Sequence, residues 1–173
     1  MIAIFNRQLY ALTKYVAWIG MLFLLGAVGI TTLDVAMRKL GLGGIFGAID
    51  LIQLMVMAAA YLSIPFAFMS RSHVAVSILA DMASRRVAAL MQLLGAVLGS
   101  CFMFAIAWFG YDQAVQQAEY GDLSMTFGLP MLYYWIPLLI GAALSTLVTL
   151  HIAVEALYTA ITGRSGIVLE EFN

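Results

Sequence analysis

VAALMQLLGAVLGSCFMFAIAWFGY, residues 87–111, carries no formal charge between Arg86 and Asp112. Roughly 20 apolar residues in helical form cross the hydrocarbon layer, so this stretch is long enough to span a bilayer. Three others share its character. They are Tyr15 to Leu33 between Lys14 and Asp34, Leu51 to Ser70 between Asp50 and Arg71, and a run within Leu123 to Val154 whose core begins near Met131. In lipid every backbone polar group needs an internal partner, which leaves helices or closed barrels. Barrel strands alternate polar and apolar residues, and these runs do not. The reading is therefore an all-α integral membrane protein, one membrane domain over residues 1–173. Its four transmembrane helices fall at about 15–36, 50–70, 87–110 and 131–158.

Composition agrees. The chain is 64% hydrophobic and 10% charged, with a mean hydropathy of +1.02. A soluble domain needs more polar surface than that. The net charge of −1 argues against electrostatic binding of nucleic acid. The single cysteine, Cys101, lies in an apolar run and forms no intrachain disulfide. The amino-terminal MIAIFNRQLYALTKYVAW shows no short apolar region followed by a small-residue cleavage site, so it reads as an uncleaved first helix.

Lysine and arginine set the expected orientation. With both termini in the cytoplasm, Arg7, Lys14, Arg71, Arg85, Arg86 and Arg164 are inside, and only Arg38 and Lys39 are outside. The connection from Asp112 to Pro130 carries Asp112, Glu119 and Asp122 without a positive charge, which suits an external loop.

The segment Ser72 to Arg86 is more than a linker. His73, Ser77, Asp81 and Ser84 recur at helical spacing as a polar stripe, with Val76, Ile78, Leu79, Met82 and Ala83 opposite. This predicts a short amphipathic interfacial helix at about 73–85, between the second and third spans, with Ile78 and Leu79 as anchoring residues. Pro65 should kink the second span, whereas Pro130 suits the start of the fourth and Pro137 follows one to two turns later. Tyr133, Tyr134 and Trp135 then sit at the external interface.

No enzyme motif is present: neither a Gly-rich phosphate loop, nor paired cysteines, nor HExxH. His73 and His151 are the only histidines. A histidine pair in a four-helix bundle is able to ligate haem, but His73 belongs to the surface helix, so the pair is poorly placed. Asp34 and Arg38, one turn apart, read as a local ion pair ending the first helix or as groups reaching a partner. Asp50 opens the second helix, where its charge complements the dipole. Gly95 and Gly99 form GxxxG, and Gly141 with Ser145 forms a small-xxx-small pair; either suits close helix packing. The remaining polar groups of the spans, Gln53, Ser63, Gln92, Ser100, Thr146 and Thr149, are scattered. A solute path needs convergent polar groups, so the chain reads as one component of a larger assembly.

The whole pattern resembles the small membrane subunit of tripartite ATP-independent periplasmic (TRAP) transporters. The resemblance is carried by length, the four spans and SRSHVAVSILADMASRR, where members have a basic residue, His-Val-x-Val-Asp-x-Leu and a basic cluster. Arg71, His73, Val74, Val76, Leu79, Arg85 and Arg86 fit it, as do Asp50 and the stretch GLPMLYYWIP before the fourth span. Two features depart: Ser77 stands where the family has aspartate, and the proline before the basic cluster is missing.

The resemblance implies a non-catalytic scaffold without cofactor or metal, in a bacterial inner membrane with both termini inside. Its expected partners are the lipid bilayer, a large membrane subunit forming a heterodimer with it, and a periplasmic substrate-binding protein. The large subunit would carry the sodium and substrate sites for carboxylate-bearing solutes. Candidate partner-interface or membrane-anchoring residues are Asp34, Arg38, Asp50, Arg71, His73, Ile78, Leu79, Arg85 and Arg86. The alternatives are a haem- or quinone-binding anchor of an oxidoreductase and a self-assembling small channel or exporter.

Overall fold

Charge marks where a helix leaves lipid, not where it stops. The structure, a computed structural model, describes residues 2–70 and 85–162. Within them lie four helices: α1 (Ile2–Lys39), α2 (Ala48–Met69), α3 (Arg85–Tyr120) and α4 (Leu132–Thr162). At 1.5 Å per residue the 22 residues of α2 reach about 33 Å, close to the hydrocarbon thickness of about 30 Å. The 38 residues of α1 and 36 of α3 reach about 57 and 54 Å, so both protrude. All four helices are long and apolar enough to cross a membrane.

The chain runs up and down, so the loops at 40–47 and 121–131 share one end of the protein. The start of α1 and the finish of α4 share the other. We call these the loop end and the terminal end. Expectation and structure differ on α3. Asp112 and Glu119 close the apolar run, but DQAVQQAEY is rich in alanine, glutamine and glutamate, which favour helix in water as well as lipid. The first half of the expected 112–130 loop is therefore helical. Both upward helices end in the same way: Gly41 and Gly121 take positive φ. Leu42 N–H donates to Met37 O and Asp122 N–H to Gln117 O, 3.1 Å each. These six-to-one bonds are Schellman caps.

The order in space is α1, α2, α4, α3: α1 packs on α2, α2 on α4 and α4 on α3. No other helix pair packs extensively among the described residues, so the protein is a slab and not a closed bundle. The most apolar window of α4 is 44% buried against 11% for α1, which makes α4 the spine. The reason is side-chain size. Gly141 lets α2 approach, since a Cβ there would run into the Tyr61 carbonyl, and Ala142 and Ser145 nearby are fully buried. Gly99 packs against Phe68 and Thr149, whereas Gly95 faces open space. The GxxxG in α3 is thus half used. Buried Pro65 lies within α2 and Pro137 within α4. A core of Leu9, Met69, Ala96, Leu144, Val148 and Ile152 joins all four helices toward the terminal end.

Candidate functional site

At the loop end two carboxylates organise everything. Asp34, near the end of α1, accepts from Arg38 Nε through Oδ2 at 2.8 Å and from the Ile45 amide through Oδ1 at 2.7 Å. It therefore both closes the local ion pair and holds the 40–47 loop. Arg38 lies 60% exposed beside it. Such an exposed pair contributes little by itself; the bond to Ile45 N–H satisfies a loop donor that lacks a helical partner.

Asp50 does more than complement a dipole. It stands in the first turn of α2, after the left-handed Gly47, and that cap has no side-chain hydrogen bond. Its buried carboxylate instead accepts two amides from the other loop, Thr126 N–H at 3.0 Å and Phe127 N–H at 2.7 Å, both at Oδ2. The Ser124 hydroxyl accepts from Leu129 N–H at 3.0 Å, and Ser124 N–H donates to Leu129 O at 2.8 Å, closing the loop on itself. Tyr134 Oη donates to the Asp50 carbonyl at 3.0 Å, and Trp135 Nε1 donates to Gln117 Oε1 at 2.7 Å. The start of α4 is thereby fixed to α2 and to the protruding turn of α3. Phe127 covers Gly47, with its ring where a Cβ would lie. The result is a loop end with both connections tied to helix ends.

A second polar group lies at the terminal end. Buried Asn6 donates from Nδ2 to Glu155 Oε1 at 2.9 Å, and His151 Nε2 lies 3.5 Å from the same oxygen. It joins α1 to α4 across the core. Neither Asn6 nor Glu155 stood out in the sequence; Glu155, one turn after His151 in an otherwise charge-free helix, is the signal that was available.

Of the residues singled out from sequence, Asp34, Arg38 and Asp50 all lie at the loop end, Asp34 paired with Arg38 and Asp50 tied to the other loop. Arg85 and Arg86 open α3 at the far end. Arg71, His73, Ile78 and Leu79, together with the interfacial helix, lie outside the described residues. Most hydroxyls of the spans bond to their own helices: Thr31 to Ala27 O, Thr146 to Ala142 O, and Thr149 to Ser145 O. No group of three or more His, Cys, Asp or Glu able to hold a metal occurs among the described residues.

The geometry is that of a braced membrane slab. The family described as "Tripartite ATP-independent periplasmic transporters, DctQ component" matches residues 27–166. No curated protein and no solved structure matches the chain. The matched region takes in both carboxylate-tied loops and all of α2, α3 and α4, and with four apolar helices around them the chain belongs to the DctQ family, the small membrane component of TRAP transporters.

Proposed function

We propose that this chain is a scaffold: it braces the large membrane subunit of a sodium-coupled TRAP transporter for carboxylate-bearing solutes and moves nothing itself. The observation that carries the reading is how its polar groups are used. Asp34 and Asp50 hold loops, the threonines bond to their own helices, and Asn6 and Glu155 tie the terminal end. A transport path needs polar groups converging on a cavity, and these face backbone or each other.

The outer faces suit bracing. α1 exposes Trp18, Leu22, Leu25 and Val28, and α3 exposes Leu94, Leu98, Phe102 and Phe109. A flat four-helix slab with two wide apolar faces offers one to lipid and one to a partner subunit. Positive charge favours both termini in the cytoplasm of a bacterial inner membrane, which puts the loop end in the periplasm. There Leu40, Phe46 and Met125 are exposed on tied loops, a firm apolar surface against which a binding protein is able to dock.

Reconstitution tests this. Liposomes holding the large subunit with this chain, given a sodium gradient and the binding protein, should accumulate solute. Liposomes holding either membrane chain alone should not. Solute flux through this chain alone refutes the scaffold reading, as does full uptake by the large subunit without it.

A further inference from the structure

Between α1 and α2 runs a groove of about 560 Å³ whose lining includes Lys14, Trp18 and Leu24 of α1 and Val56, Ala60 and Phe66 of α2. We propose that it holds one acyl chain of a phospholipid whose phosphate sits on Lys14, in the leaflet where α1 enters the membrane.

Three observations point to that occupant. The first is length. Lys14 to Leu24 is ten helical steps, about 15 Å, half of a hydrocarbon core about 30 Å thick. Val56 to Phe66 on antiparallel α2 covers the same depth. The groove thus runs from the water interface to the bilayer midplane, the reach of one leaflet.

The second is depth of the floor. Gly20 lies against Ser63 and the Ala59 carbonyl, so the backbones meet closely there, and the small Ala17 and Ala60 line the walls. The long neighbours Trp18, Met21 and Leu24 stand at the rim, exposed. That leaves an apolar slot.

The third is charge. Lys14 is exposed at the mouth of the slot and no carboxylate pairs with it among the described residues. Arg7, two turns earlier on the same helix face, is exposed and unpaired in the same sense. An amine beside Trp18 at the interface meets phosphate with its stem along the apolar wall.

The test is made on the full chain in nanodiscs of phosphatidylethanolamine and phosphatidylglycerol. After transfer to mild detergent, native mass spectrometry should show a phospholipid retained by the wild type. Lys14→Ala should cut retention of phosphatidylglycerol about fivefold, the effect of one basic residue at an anionic surface. Ala60→Trp, which fills the slot at an exposed position, should abolish it. Circular dichroism equal to that of the wild type keeps either loss from being a folding failure. A photo-crosslinker at position 60 in the chain co-expressed with its large subunit should give a lipid adduct. Equal retention by wild type and Ala60→Trp overturns the proposal, and so does a protein adduct at position 60.

Discussion

The amide of Phe127 donates to Asp50 Oδ2 at 2.7 Å across 77 positions of sequence. With the Thr126 amide at 3.0 Å on the same oxygen, it lets one carboxylate set where the 121–131 loop sits over α2. Charged acceptors form shorter and stronger bonds than neutral ones, and burial of Asp50 keeps water from competing. The bond therefore links the two halves of the slab at their loop end.

Removing that acceptor leaves two loop amides without a partner. Asp50→Ala is expected to destabilise the protein and to loosen the loop, because both amides lose a charged acceptor. Hydrogen exchange should speed up in the peptide covering Thr126 and Phe127 while α3 stays protected. Asp50→Asn keeps one acceptor oxygen and should fall between wild type and alanine. Unchanged exchange in Asp50→Ala would show that the clamp does not order the loop.

Gly47 and Phe127 make a second, steric link at the same place. Gly47 sits at φ +70, and an added Cβ would overlap the Phe127 ring. Gly47→Ala should cost about 1–2 kcal/mol for the left-handed backbone alone, with a further loss from displacing the ring. Gly47→Ala combined with Phe127→Ala should recover the steric part and not the backbone part. Thermal unfolding of the four proteins in one detergent separates the two, and strict additivity would remove the ring contact from the account.

The sequence showed the frame and concealed the fastening. Four charge-free runs are enough to locate four spans, because lipid penalises charge heavily wherever it falls. Asp50 was visible as an acid opening α2, but its partners are backbone amides, which every residue except proline has. Nothing in the letters Thr126 and Phe127 announces them. The extension of α3 to Tyr120 was hidden for another reason: a charge ends an apolar run without ending a helix. The glycines show the same limit, since Gly95 and Gly99 look alike in sequence and only Gly99 meets a neighbour.

At the terminal end the tie between Asn6 and Glu155 predicts a coupling energy. Hydrogen bonds to charged groups contribute about 1.5–3 kcal/mol, and this one is partly buried between α1 and α4. Asn6→Leu and Glu155→Gln should each lower the unfolding temperature, and the double variant should lose less than the sum. Independent losses would mean that α1 is held by Leu9 and its apolar neighbours alone.

The spine itself is tested by two glycines of opposite surroundings. On Gly141 a Cβ meets the Tyr61 backbone, and backbone is unable to swing aside as a side chain does. Gly141→Ala must therefore push α2 away from α4, the most buried of the four helices. Overpacking of that kind costs about 1–3 kcal/mol, and Gly141→Leu should prevent stable folding. A Cβ on Gly95 meets nothing, so Gly95→Ala should stay within about 0.5 kcal/mol of wild type or gain from better helix propensity. Melting temperatures of the two alanine variants in one detergent decide it. If Gly95→Ala were the more damaging, the slab order α1, α2, α4, α3 would need α3 to pack on a different neighbour.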